Sequence, residues 1–564
     1  MPKIEVVAEN LYRTLGKRLT DSELESLLTA AKAELDGKDE EAGILKIELN
    51  DTNRPDLWST AGLVRQLSGY LGRDVRCYDF FSTSEEVFET GERVVTVDPD
   101  LLDTRPYIVA FAVSGKAVDE PTLMDLIQTQ EKLCWNYGRK RSAIAMGVYR
   151  SDLITYPVRY VAADPLKTSF IPLQSDRELN LVEVLDQTPK GQEFGHIVRD
   201  FTKYPFITDD NGKVLSFPPI INSAEVGAVQ VGDNRLFIEL TGTELKALIH
   251  TASIVACDLA DDGFTIEPVK IIYPYDTEFG RELVIPYYFQ SPAAVSMKDV
   301  CKLLGAALSP DEALAALRRM GVFGLHDSGS IYVTVPEYRN DFLHPVDIIE
   351  DIMIGHGMDR FEPEMPDFFT PGRLTAEEEF SRKAKDIMIG MGYQEMMYNY
   401  LGSARDFIHR MMVSSEGFIQ VENPMSENYE YVRKSIIPSL LQSEAVSSNA
   451  VYPHRIFEIG KAAYADGSEP SGTSTKNYLA FLQAERGSGF NQIASQISGL
   501  LYYLSREYSL KDVQDSRFIP GRAAEVICAG KTAGIFGEVH PQVLENWGIQ
   551  MPCSVCEIDL DLLL

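Results

Sequence analysis

The sequence is poor in the residues that most often do chemistry: 8 histidines, 7 cysteines and 3 tryptophans among 564 positions. The histidines stand singly, as at His196, His250, His326 and His409, so neighbouring residues supply no nucleophile and base for covalent catalysis. There is no GxxxxGK[ST] loop and no GxGxxG after a strand, so the common phosphate cradles are missing. HExxH and GxSxG are absent too, which removes the zincin and nucleophile-elbow hydrolases. No apolar run approaches the ~20 residues of a membrane span. The start, MPKIEVVAEN, lacks a signal peptide's apolar core, and the chain is expected in the cytoplasm with no membrane partner. The odd, scattered cysteines suit a reducing compartment. Cys553 and Cys556 form a CxxC with no second pair nearby, which reads as buried strand residues rather than metal or redox chemistry.

Positive charge is scarce as well. A net charge of -31 repels nucleic-acid phosphates, so any RNA contact must be local or shared with a more basic partner. The local basic spots, Arg139-Lys140-Arg141 and Arg318-Arg319, are short and read as solvated faces.

What is present describes an ordinary globular chain, 45% hydrophobic and 24% charged, with a length that suggests about four domains. Residues 1–98 read as an α/β structural domain. A helix is expected over Thr20 to Asp36, from a Thr20/Glu23 capping box to Gly37, followed by a strand Ile44 to Leu49. An Asn53-Arg54-Pro55-Asp56 turn then feeds a further helix, with no chemistry apparent. Residues 99–275 change to short strands around one helix, Thr122 to Tyr137, and form a separate mixed α/β domain. In RLFIELTGTE, Glu239 and Thr241 share a face with Phe237; they line a polar pocket or form the wet face of an antiparallel strand, and periodicity alone favours the wet face. Tyr275 to Pro286 reads as a linker.

Residues 286–363 form a small helical domain, winged-helix-like, with helices Ser296 to Leu304 and Ser309 to Met320 and a strand IYVTV. Its end, PEYRNDFLHPVDIIEDIMIGHG, concentrates Asp341, Asp347, Glu350 and Asp351. A helix starting near Pro345 puts 347, 350 and 351 on one face and Ile348, Ile349, Ile352 and Met353 on the other. Oxygen ligands without His or Cys suit magnesium better than zinc, and the same residues also read as an acidic first turn favoured by the helix dipole. Residues 364–564 alternate strands and helices, with hairpin returns that favour an antiparallel sheet with helices on one face. The fold class is α+β, multidomain.

NRPD before a helix, YGRKRSAIAMGVY, FPPIIN with ELTGT, the acidic stretch, NPMSENYEYVRKSIIPSLL, RIFEIG, and PGRAAEV with GEVHPQVL occur in that order along nearly the whole chain. Together they resemble the beta-subunit family of phenylalanine-tRNA ligase, and in length and in FPPIIN/ELTGT they look like its archaeal and eukaryotic type. The resemblance implies an editing domain over 99–275 that hydrolyses tyrosine wrongly attached to the tRNA for phenylalanine, with a pocket including Ser216, Asn222, Glu239 and Thr241. It implies magnesium at Asp341, Asp347, Glu350 and Asp351, at a site shared with an alpha subunit. It also implies a class II synthetase-like core over 364–564. That core lacks the glycine-rich third motif ending in Glu-Arg: the helix after Pro541 reads QVLENWGI and GRAAEV lacks the glycines. Activation of phenylalanine with ATP is therefore expected in the alpha subunit, in an assembly of two alpha and two beta chains, and no ATP-contacting residue is assigned here.

Selection of tyrosine has its own logic, since a buried Glu239 that accepts the phenol hydroxyl is left unpaired by phenylalanine. Water oriented partly by Asn222 and Thr241 is expected to attack the ester. A free-standing editing hydrolase and a non-enzymatic tRNA-binding scaffold are the competing readings; a full synthetase-like core and the acidic motif favour the subunit.

Overall fold

The computed structural model describes residues 2–367 and 369–564. The chain forms two compact units, Met1–Glu364 and Met365–Leu564.

In the first unit, Lys3–Val7, Ile44–Leu49 and Ala33–Asp39 make a three-stranded sheet with Ile44–Leu49 in the middle. The Thr20/Glu23 capping box forms and starts a helix, but that helix covers only Asp21–Leu28. A single 3-10 turn follows, and Lys32 takes φ 49, which ends the helical run. Ala33–Asp39 then pairs along Ile44–Leu49 with a register shift between Leu35 and Gly37. Gly37 therefore lies in a bulged strand and not at a helix end. The NRPD turn leads through Pro55–Leu57 into the helix Thr60–Tyr70, capped by Ser59.

A ten-stranded sheet dominates this unit. It begins at Val94–Val97 and includes Glu282–Ile285, so it takes in residues on both sides of 99–275 and a strand where the sequence suggests a linker. Arg235–Gly242 lies between Tyr107–Ser114 and Ile144–Arg150, antiparallel to both. Every residue from Leu236 to Gly242 is buried, so the wet-face reading of this strand does not hold: a central strand covered on both faces has no solvated side. The helix Leu245–Asp261 packs on this strand and on Tyr107–Ser114 and Thr265–Ile272.

The rest of the unit is a three-stranded sheet ordered Ala293–Ser296, Ser330–Thr334, Phe323–Asp327, with helices Met297–Leu304, Pro310–Arg319 and Pro345–His356. Ile348, Ile349 and Ile352 enter its core with Leu317 and Val322. Gly355 lets the last helix close on its neighbour, since a Cβ there would lie 2.1 Å from the Ala316 carbonyl oxygen.

The second unit is built on a seven-stranded sheet, mainly antiparallel, with one parallel edge pairing between Gln394–Glu395 and His454–Ala465. Alternate residues of Thr473–Ala484 feed two cores. Leu479 and Phe481 meet Ile493 and Ile497 on one face, and Ala480 and Leu482 meet Leu440 and Val543 on the other. Helices thus cover both faces instead of one, because strands hydrophobic on both sides need two covers. Cys556 falls in the first core and Cys553 in the second, as an i, i+3 pair on a strand must. Both are free thiols and buried, so the CxxC is a pair of strand residues.

Candidate functional site

Glu239 is 2% exposed and sits in register between Ala110 and Gly147. Its Oε1 is 2.8 Å from the Tyr149 hydroxyl, which is itself 2.8 Å from Ser216 Oγ. A phenol has one proton; donated to Glu239, it leaves the phenol oxygen to accept from Ser216. Glu239 Oε2 is buried with no hydrogen-bond partner. Burial pushes this carboxyl up to about 7, against the Tyr149 hydrogen bond and the Arg105 charge, which pull it down. Gly147 makes the arrangement possible: a Cβ there would lie 2.1 Å from the Tyr149 hydroxyl and 2.6 Å from Glu239 Oε1.

Thr241, two residues on, serves another partner. Arg105 Nε donates to Thr241 Oγ1 at 3.0 Å and Nη2 to the Thr241 carbonyl at 2.5 Å, while Nη1 reaches the Ser142 carbonyl at 3.0 Å. Burial lowers the Arg105 pKa. Asn222 lies on the short edge strand directly opposite Ser216, half-buried, with Gly227 against its Cβ. The structure therefore joins Ser216 and Glu239 through Tyr149, keeps Asn222 beside Ser216, and ties Thr241 to Arg105. Tyr149, Gly147 and Arg105 escape the sequence reading. Two of them carry a signal, since Gly147 and Tyr149 stand two apart in YGRKRSAIAMGVY, a glycine inside a strand marks a close approach, and i, i+2 shares a face. Arg105 has none.

The acidic helix starts at Pro345, as the sequence suggests. Its carboxylates do not converge. Asp347 Oδ2 accepts from the backbone N–H of Leu343 at 2.7 Å and of His344 at 2.6 Å, capping the helix. Glu350 and Asp51 each hold Lys32 Nζ at 2.6 Å. Asp341 and Asp351 both belong to the buried Arg339: Nε and Nη2 donate to Asp341 at 3.0 and 2.5 Å, and Nη1 and Nη2 to Asp351 at 2.5 and 3.2 Å. Arg54 of the NRPD turn pairs with Asp56 at 2.8 Å and lies 4.0 Å from Asp341. Although burial opposes it, the Arg339 and Arg54 charges hold Asp341 below the usual carboxylate range. For Asp351 burial prevails over Arg339 and the pKa is raised. Among the described residues no group of three or more His, Cys, Asp or Glu is arranged to hold a metal ion. The four acidic residues do not fit a magnesium site contained within this chain, because an arginine already fills the space between two of them.

In the second unit Arg433, fully buried, donates to both oxygens of Glu458 at 2.9 Å and to the Lys461 carbonyl at 2.9 Å. A Cβ on Gly460 would lie 2.4 Å from its Nη2. The guanidinium is committed to the fold on all three nitrogens.

Three family models match the chain: "Phe-tRNA synthetase beta subunit B1 domain" over residues 1–73, "tRNA synthetase B5 domain" over 293–358, and "Phenylalanyl tRNA synthetase beta chain CLM domain" over 362–560. The phenylalanine–tRNA ligase beta subunit of Borrelia hermsii is 48% identical over 570 residues, covering all of both chains. That of Borreliella afzelii is 47% identical over 567 residues, again covering both completely. A crystal structure of an N-terminal fragment of the phenylalanyl-tRNA synthetase beta subunit from Pyrococcus horikoshii matches 63% of this chain and 100% of its own, with TM-score 0.59 and 34% identity.

Proposed function

The chain belongs to the phenylalanine–tRNA ligase beta-subunit family, and on that premise we propose how its parts serve the ligase. An alpha chain activates phenylalanine with ATP; this chain completes the assembly, two of each, and removes tyrosine from mischarged tRNA in the cytoplasm. The observation that carries the editing reading is Glu239 Oε2, buried and without a partner while Oε1 is bonded to Tyr149.

A tyrosyl group donates its phenol proton to that free oxygen. Phenylalanine has nothing to give, and the oxygen stays desolvated and unpaired, at a cost of about 1–3 kcal/mol. Sites built around a substrate hydroxyl reject the analogue lacking it by up to roughly 10⁴- to 10⁵-fold. Tyr149 and Ser216 hold the carboxylate in place, and Gly147 leaves it room. Thr241 Oγ1 accepts from Arg105, which leaves its own proton free to donate, and with Asn222 it orients the attacking water. Water oxygen bonds to the ester carbonyl carbon, the carbon–ribose oxygen bond breaks, and one of the water's protons passes to the ribose oxygen, leaving free tyrosine and a ribose hydroxyl.

Magnesium enters no step of this account. Of the four carboxylates implied as ligands, Asp347 and Glu350 keep a face toward solvent; any ion held there needs further ligands from the alpha subunit, in keeping with magnesium's habit of taking only one or two carboxylates. The missing glycine-rich third motif supports a core that does not bind ATP itself.

Two measurements test the reading. Phenylalanine-dependent pyrophosphate exchange is expected only when an alpha subunit is present; exchange by this chain alone contradicts the division of labour. Glu239→Ala in the complex is expected to abolish the preference for tyrosyl-tRNA, and an unchanged preference rejects Glu239 as selector.

A further inference from the structure

In a chain of net charge -31, cations without carboxylate partners stand out. Three lie together beside the editing strands. The helix Glu120–Lys132 runs into a π-helical turn, Leu133–Tyr137, after which Arg139, Lys140 and Arg141 take φ of 49, 54 and 68 in succession. Left-handed backbone is strained for residues with side chains, and three in a row persist only where the surroundings hold them. Here Lys140 N–H donates to the Trp135 carbonyl at 2.8 Å and Arg141 N–H to the Cys134 carbonyl at 2.9 Å.

This backbone sets cations against aromatic rings. Lys140 Nζ is 5.5 Å from the Trp135 ring centre, and Arg141 and Lys190 are 4.4 and 5.3 Å from that of Phe194. The two rings meet edge to face at 6.3 Å, and Trp135 is 47% exposed. Arg139 pairs with Glu244 at 3.4 Å and Lys190 with Glu193 at 3.1 Å, both at the surface, whereas Lys132, Lys140 and Arg141 are in no ion pair among the described residues. Lys132, Trp135, Arg141, Lys190 and Phe194 line a groove of about 420 Å³ together with Glu131, and Lys140 lines a neighbouring cavity that shares Trp135 with it. Arg141 ties the groove to the candidate site: Nη1 donates to the carbonyls of Pro219 and Ile220 at 3.1 and 3.0 Å, in the turn between the strands carrying Ser216 and Asn222.

We propose that this groove seats the single-stranded 3′ end of the charged tRNA while its aminoacyl group is presented to Glu239. Bases stack on Trp135, and phosphates meet Lys132 within the groove and Lys140 where the strand passes the Trp135 ring. The proposal rests on the editing reading. Interleaved aromatic rings and free cations are what a single strand needs, because every base has a face to stack and every nucleotide a phosphate. An acidic protein surface would use the lysines and have no need of the ring.

The test uses the alpha–beta complex with tyrosyl-tRNA and, separately, a short uncharged RNA ending in CCA whose binding is read by fluorescence anisotropy of a dye on its 5′ end. Trp135→Ala is expected to raise KM for deacylation by roughly tenfold with kcat little changed, and Trp135→Phe to recover most of it. Lys132→Ala with Lys140→Ala is expected to lower the slope of log affinity for the RNA against log salt by about 1.4, at ~0.7 per phosphate contact. Phenylalanine-dependent pyrophosphate exchange is expected to stay at the wild-type level. If these variants bind the RNA and deacylate like wild type, the groove assignment is overturned. A polyglutamate probe that binds the groove and is indifferent to Trp135→Ala overturns it in favour of a protein partner. RNA binding that responds to the variants in a complex that never deacylates tyrosyl-tRNA upholds the groove and rejects the editing reading instead.

Discussion

At Glu239 the fold buries a carboxylate with one neutral donor and leaves its second oxygen empty; around Arg339 it buries two carboxylates and gives each a charged, two-pronged partner. Both regions lie in the first unit, and Glu239, Arg339 and Asp351 are each at most 3% exposed. The difference is what separates a group available to a ligand from a group spent on the fold. Burial without a partner stores an unmet demand for a donor. Burial with a guanidinium meets that demand within the chain, and removing the partner exposes the cost.

The largest effect that sharpens this contrast is expected from Arg339→Ala. Two buried carboxylates lose their partner, and unfolding in urea should show a loss of about 3–5 kcal/mol. A loss under 1 kcal/mol would mean that the pair is not structural.

The next comes from pH. Burial raises Glu239 from an ordinary 4.5 to about 7, so the folded state holds a proton there that the unfolded state releases. Stability contributed by this group is therefore greatest at low pH and falls by roughly 3 kcal/mol as pH rises from about 4.5 to 7. Asp341 runs the other way: held below its ordinary 3.8, it contributes stability above that value and loses it as pH falls further. Asp351, raised by burial, offsets part of this. The difference in unfolding free energy between wild type and Glu239→Gln should slope downward across pH 4.5–7; a flat difference contradicts the raised pKa.

Gly147→Ala ranks third. Its methyl group would collide with the Tyr149 hydroxyl and Glu239 Oε1, so about 1–3 kcal/mol of stability should be lost together with the tyrosine preference in deacylation. The smallest effect is expected at Glu350, whose side chain is 45% exposed and paired with Lys32. Glu350→Gln should change stability by less than about 1 kcal/mol in a thermal melt.

The contrast also divides what the sequence reveals from what it hides. Local devices are legible: the capping boxes at Thr20 and Ser309, the start of the acidic helix at Pro345, and the strand carrying Glu239 all form. Glu239 itself is named by type and by resemblance, and the neighbours that it meets in the fold, Gly147 and Tyr149, stand at period-two spacing within one of the motifs. Arg339 could not be told from an exposed arginine, because its role depends on Asp341 and Asp351 converging on it and on Arg54 arriving from a distant turn. For the same reason the spacing of Asp347, Glu350 and Asp351 along the helix does not reveal that in this chain one caps the helix, one holds Lys32 and one, with Asp341, holds Arg339. The overlong helix at Asp21 and the single-faced cover of the second unit fail similarly: a left-handed Lys32 and strands buried on both sides are tertiary outcomes that local pattern does not carry.

The most direct test of the account is deacylation of tyrosyl-tRNA and phenylalanyl-tRNA by the alpha–beta complex, wild type beside Glu239→Gln. The amide keeps the size of the carboxylate and removes its charge. The account predicts that wild type strongly prefers the tyrosyl ester and that the variant loses most of that preference while remaining folded. Equal preference in the two proteins would contradict it, and would make Glu239 a buried carboxylate that serves the fold.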